Sequence, residues 1–276
     1  MIDYIILLVA GFIVGILASL FGLGGGLIVV PTLLIILPFF HVANAVVVHV
    51  AIGTSLAIMF INSINSARSH HLAGNVKWNY FRKLIIYIAL GTLIGTFIAY
   101  LLPASILLLA FVVFLLFIII RFLRHLKVKN DDEAVESEDK ATLPPLYQRA
   151  PYGLLAGIIS ACIGIGCSVT MTPFLKKFGV KIKNAAAIAA TMNVFIALVA
   201  SLSYAFLGRH AVDLPKYSTG FIFWPAFIAI LIGSFVGVPV GTRLASKLSE
   251  RWATILFFLF LIIIFIVMLS KYITIL

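Results

Sequence analysis

Carboxylates are scarce in this chain: of 276 residues only 9 are Asp or Glu, and none falls inside a long apolar stretch. Carriers of cations and many proton pumps hold buried Asp or Glu within the membrane. Their absence here disfavours a cation as substrate. Cysteine is almost missing as well. Cys162 and Cys167 lie five residues apart in one apolar segment. On a regular helix they point in different directions, which argues against a disulfide, and metal-ligand spacing is lacking. Neither a metal nor a cofactor is expected. Charge of either sign makes up only 11% of the chain.

What remains is overwhelmingly apolar. Hydrophobic residues are 63% of the total and mean hydropathy is +1.20, more than a soluble domain can bury. No charged residue stands between Asp3 and Arg68, an interval long enough for about three spans of roughly 20 residues. Further charge-free intervals run 84–120, 150–175, 184–208, 217–242 and 252–270. The pattern predicts an all-α polytopic membrane protein with the lipid bilayer as its main partner. The net charge of +11 sits in loops beside apolar spans, so it reports topology and not nucleic-acid binding. The first apolar stretch lacks a basic leader and an A-x-A-like site, so it reads as part of the fold and not as a cleaved signal.

Glycine is concentrated where a helix least tolerates it. "GFIVGILASLFGLGGGLIVVPTL" begins at Gly11, and "GLLAGIISACIGIGCSVTMTPFL" begins at Gly153. The two align at a constant offset, pairing Gly11, Gly15, Gly22, Gly24 and Pro31 with Gly153, Gly157, Gly164, Gly166 and Pro173. "LIGTF" at 93–97 and "LIGSF" at 231–235 form a second echo. Two copies of one unit are therefore expected, joined by the polar stretch 125–149.

The basic residues then decide the topology. If 151–175 crosses once, Lys and Arg divide 13 inside and 7 outside; if it enters and returns, they divide 17 against 3. The positive-inside rule favours the second arrangement. Each half thus becomes a broken, re-entrant hairpin followed by three spans, and the odd number inverts one half relative to the other. Residues 1–124 form the first repeat, with a hairpin at 3–40 and spans at 44–67, 82–101 and 104–124. Residues 125–149 form a cytoplasmic linker. Residues 150–276 form the second repeat, with a hairpin at 151–175 and spans at 184–207, 219–242 and 252–271. Such architecture recurs in transporters whose broken helices meet at mid-membrane.

The glycine runs are not phosphate loops: no G-K-[ST] follows, and Leu27 stands where G-x-G-x-x-G needs its last glycine. Unpaired backbone inside a bilayer needs a partner, so Gly24, Gly25 and Gly26, with their counterparts Gly166, Cys167 and Ser168, are candidates to face a substrate. Gly11, Gly15, Gly153 and Gly157 read as close helix packing. In the next span Thr54 and Ser55, matched by Thr191 with Asn193 nearby, can bond an oxyanion or equally a helix carbonyl. Asn62, Asn65 and Ser66 form a polar stripe, either a water-lined path or a seam between helices. His49 is a buried ionisable group, either functional or neutral and bonded to a carbonyl. Asn65, Arg68 and His49 are candidates for proton or gating roles, and Arg68 for binding an anion. His70 and His71 read as interfacial. A membrane enzyme using His49, His70, His71 or Cys167 lacks any nucleophile–base pair.

The ordered set "GILASLFGLGGGLIVVPTLL", "VAIGTS", "GNVKW", "GIISACIGIGCSVTMTPFL" and "AATMN" resembles the sulfite exporter TauE/SafE family, also called the toluene sulfonate uptake permease family. The resemblance implies a secondary transporter of sulfite, a sulfonate or a related small anion in the cytoplasmic membrane. Cys167 and Ser168 depart from the double glycine of the first half. On this reading the anion is held by backbone amides near Gly24–Gly26 and Cys167–Ser168, with Thr54, Ser55, Thr191 and Asn193 completing the shell. Coupling to a proton or to sodium is left open, and an uncoupled anion channel is the alternative.

Overall fold

The computed structural model describes residues 2–21, 25–128 and 142–275. Ten helices are described: α1 (Ile2–Phe21), α2 (Gly26–Ile36), α3 (Asn44–Leu72), α4 (Trp78–Leu101), α5 (Ala104–Val128), α6 (Leu146–Ile163), α7 (Ser168–Lys177), α8 (Ile182–Leu207), α9 (Trp224–Lys247) and α10 (Glu250–Ile275). Six of them are long and apolar enough to cross a bilayer: Asn44–Leu72, Trp78–Leu101, Ala104–Arg124, Ile182–His210, Trp224–Ala245 and Thr254–Thr274. The chain is an all-α polytopic membrane protein, as its composition demands. Much of the linker expected at 125–149 lies outside the described residues.

The remaining four helices form two hairpins. α1 and α2 join through residues 22–25, and α6 and α7 join through residues 164–167. Neighbouring contacts bring the open end of each hairpin together. The rings of Tyr4 and Phe40, at the two ends of the first hairpin, lie 6.1 Å apart. In the second, the Thr142 amide donates to the Phe178 carbonyl at 3.0 Å. Tyr152 of α6 also stacks on Phe174 of α7 with centroids 3.9 Å apart. α6 starts at Leu146, so its hairpin is longer than the expected 151–175.

Small residues set how the hairpins pack. α1 lies along α9, and α6 lies along α4. A Cβ at Gly11 would stand 2.6 Å from the Ile230 backbone, and one at Gly95 would stand 2.6 Å from Ile158 Cα. Only glycine lets the backbones approach this closely. Polar groups reinforce the seams: Ser234 Oγ donates to Gly11 O at 3.2 Å, and Cys162 Sγ to Gly95 O at 3.2 Å. α3 packs on α8, and α5 on α10.

One segment expected to be helical is not. The sequence predicts residues 219–223 within the span 219–242, but that helix begins at Trp224. Ser218–Thr219 (β1) and Ile222–Phe223 (β2) instead form a short antiparallel pair. Gly220 turns the chain with φ of +55°, a backbone conformation suited to glycine. The apolar run Phe221–Phe223 gave no periodicity by which to separate strand from helix.

Candidate functional site

The two hairpin tips meet. Gly25 opens α2 with φ of +87°, and Gly164 and Gly166 turn the second tip with φ of +76° and +81°. All three lie in the left-handed region that only glycine adopts freely. A Cβ on Gly26 would stand 2.7 Å from the Gly164 oxygen and 2.9 Å from Ile165 Cα. Nothing larger than hydrogen fits at this crossing.

Side chains from α3 and α8 hold the second tip. Ser55 Oγ donates to Gly164 O at 3.2 Å. Asn193 uses both ends of its amide: its Oδ1 accepts the Cys167 N–H at 2.8 Å, and its Nδ2 donates to Ser168 Oγ at 2.8 Å. The Ser168 hydroxyl, having accepted from Asn193, keeps its own proton for another acceptor. Ser168 also begins α7, whose N-terminus carries the positive end of the helix dipole.

Beside this tip lies a cavity of about 1210 Å³. Its polar wall includes Asn62, Ser63, Asn65 and Ser66 of α3, Ser168 and Thr172 of α7 and Asn193 of α8, with Ser19 of α1 and Ser234 of α9. The apolar wall includes Leu27, Phe122, Phe235, Val238 and Phe257. Arg121, Arg124, Lys176 and His70 also line it, and among the described residues no carboxylate does. Lys176 is eight residues along α7 from Ser168, about 12 Å at the helical rise. His70 is likewise eight residues from Asn62. The cavity therefore runs from a cationic mouth to an amide and hydroxyl floor.

The expected site residues divide accordingly. Ser168, Asn193 and Asn65 line the cavity. Gly25, Gly26, Gly166, Cys167 and Ser55 are buried in the crossing of the tips. Gly24 lies outside the described residues. Thr54 is turned elsewhere: its Oγ1 accepts the Phe223 N–H at 3.0 Å. Thr191 Oγ1 donates to Ala187 O of its own helix at 2.9 Å. His49 Nε2 lies 3.0 Å from Ala99 O and 3.2 Å from Leu102 O, and the ring stacks on Phe221 with centroids 5.0 Å apart. Arg68 is exposed near the end of α3 and is not among the cavity residues. Asn62, Asn65 and Ser66 of the polar stripe all line the cavity.

Arg121, Arg124 and Lys176 were counted for topology but not expected at a site. They stand at the ends of α5 and α7, where sequence places them only near a membrane face. Among the described residues, no three His, Cys, Asp or Glu side chains gather as metal ligands.

A helical bundle with six helices long and apolar enough to cross a bilayer, and a large cavity whose described lining residues include no carboxylate, has the build of a membrane transport protein. The chain belongs to the sulfite exporter TauE/SafE family, whose profile matches residues 7–268. It is 34% identical over 268 residues to a probable membrane transporter protein of Haemophilus influenzae, covering 96% of this chain and 97% of the relative. A probable membrane transporter protein of Methanocaldococcus jannaschii is 29% identical over 250 residues, covering 89% and 86%. Another from Bacillus subtilis is 24% identical over 279 residues, covering 95% and 96%. No solved structure matches the chain. These relatives are named as transporters and not as enzymes.

Proposed function

We propose that this transporter carries a small anion, most plainly sulfite, a sulfonate or a related sulfur-containing organic anion, by alternating access around the crossed hairpins. The observation that carries this reading is the cavity itself. It has cations at its mouth, the α7 N-terminus with Ser168 and Asn193 at its floor, and no carboxylate among its described lining residues. Cations along a low-dielectric cleft raise the local anion concentration. A hydroxyl and helix-end amides can then replace hydration without a buried full charge.

On this reading the halves 1–124 and 150–276 are inverted repeats in the cytoplasmic membrane. The equivalent pairings α1 with α9 and α6 with α4 support it, as does the meeting of the hairpin ends. The basic mouth then faces the cytoplasm by the positive-inside rule. A carrier is favoured over a channel because tightly packed tips stand at the end of the cavity.

Flux and counterflow in proteoliposomes test this with sulfite, sulfate, thiosulfate, sulfoacetate, taurine and simple carboxylates. Saturable uptake of at least one sulfur anion with trans-stimulation is expected, and Ser168→Ala is expected to weaken its binding about ten-fold, as the loss of one charge-assisted hydrogen bond does. Uptake that never saturates would favour the channel. Full affinity in Ser168→Ala would remove the floor of the cavity as the site.

A further inference from the structure

The β1–β2 hairpin has no place in the anion site, yet its apolar strand is buried against the helices. Arg209, His210, Asp213, Lys216 and Tyr217 are exposed on the loop that follows α8. The chain then turns back, and Phe221, Ile222 and Phe223 are only 4%, 5% and 3% exposed. Glycines provide the seat. A Cβ at Gly53 would stand 2.6 Å from Phe221 O, and one at Gly208 would stand 2.6 Å from Phe221 N. Phe221 stacks on His49, and Phe223 meets Phe40 edge-on with centroids 5.4 Å apart.

We propose that this hairpin is the gate at the face opposite the cavity mouth, and that Thr54 is its latch. α8 starts beside the cavity, at Ile182, and ends at Leu207, so the loop that follows it lies across the membrane from the mouth. Among the described residues two hydrogen bonds tie the hairpin to the helices that seat it, Phe223 N–H to Thr54 Oγ1 of α3 at 3.0 Å and Phe221 N–H to Tyr204 O of α8 at a longer 3.3 Å, while Trp224 Nε1–H of the helix that follows it donates to Thr219 Oγ1 at 2.9 Å. Ser218 Oγ is buried with no hydrogen-bond partner. An apolar plug with two polar ties to α3 and α8, and a third that joins it to the start of α9, can leave its seat together with that end of α9.

The latch is also wired to the anion site. Thr54 holds the gate while the adjacent Ser55 holds Gly164 of the second tip. Tyr204 accepts from the gate through its carbonyl and donates through its hydroxyl to Ala161 O, just before that tip, at 3.1 Å. Movement of the tip therefore strains the two helices that seat the plug. This gives Thr54 a positioning role in place of substrate contact.

The proposal rests on alternating access, but its test needs no substrate. Ile222→Cys reports gate opening to a membrane-impermeant maleimide added on the gate side, and Thr172→Cys reports cavity opening to the same reagent on the other side. Thr54→Val, which keeps the shape but removes the acceptor, is expected to speed labelling of Ile222→Cys about ten-fold and to slow that of Thr172→Cys. Thr54→Ser is expected to leave both near the parent. Unchanged Ile222→Cys labelling in Thr54→Val would overturn the gate, and so would faster labelling of both reporters, the mark of a loosened fold. Thr54→Ser labelling as fast as Thr54→Val would overturn the hydroxyl latch. None of these outcomes bears on anion binding, which flux measures separately.

Discussion

The two hairpin tips share a sequence pattern but are held by different chemistry. At the second tip, side chains do the holding: Ser55 takes the Gly164 carbonyl, and Asn193 takes the Cys167 amide and the Ser168 hydroxyl. At the first tip, Gly25 and Gly26 have no side chains with which to reach the cavity. Gly26 is pressed against Gly164 and Ile165, and Gly25 lies nearest the amide of Asn62. The departure of Cys167–Ser168 from Gly25–Gly26 is thus a division of labour. One tip is a polar fixture that can face a solute; the other is the bare backbone packed against it.

The largest effect expected from this contrast is at Gly26. Gly26→Val has no room at the crossing, and overpacking of this kind against backbone costs about 3 kcal/mol or more. Loss of monodisperse protein, or a large drop in Tm, checks it; a normally stable variant would mean that the tips do not touch. Next comes Asn193→Asp, which keeps the shape and the acceptor for Cys167 while adding a carboxylate to a cavity floor that has none among its described residues. Anion uptake is expected to fall by about two orders of magnitude, since one close like charge in a partly buried site is worth a few kcal/mol, and the folded yield is expected to hold. Uptake at the parental rate would separate the second tip from the solute.

Smaller still is the expected effect of neutralising the mouth. Arg121→Gln with Arg124→Gln should lower uptake at low substrate several-fold and flatten its dependence on ionic strength, because steering charges act through a screened field. Flux across a salt series would reveal it. Thr191→Val is expected to change least. Its hydroxyl bonds its own helix, and such replacements away from special features fall within about 0.5 kcal/mol. A marked loss of transport in Thr191→Val would restore it to the solute's shell and blur the contrast between helix-bonded and cavity-facing hydroxyls.

The spans were legible because charge exclusion from a bilayer is a strong local signal. Spans expected at 44–67, 104–124 and 252–271 sit within or nearly within the helices found. Glycine interrupts the apolar runs at matched positions, just beyond the ends of α1 and α6. The direction of a hydroxyl was not legible. Thr54 and Ser55 are neighbours in one "GTS" run, yet one faces the β hairpin and the other the second tip. On a helix adjacent residues point about 100° apart, so their partners depend on what each side packs against. The β pair at 218–223 was hidden for a related reason: its apolar residues look like the start of a span, and only the turn at Gly220 distinguishes them.

Composition alone settled that this chain lives in a bilayer as a helical bundle, because so much apolar side-chain surface cannot be kept in water and charged residues are costly in lipid. Its paired glycine runs follow the ends of α1 at Phe21 and α6 at Ile163. Only the tertiary structure decided which polar groups share a cavity. Ser168 and Asn193, 25 positions apart, meet because α7 packs on α8, and Arg121 joins them from α5. Such meetings arise from packing between segments distant in the chain, and no local pattern of residues encodes them.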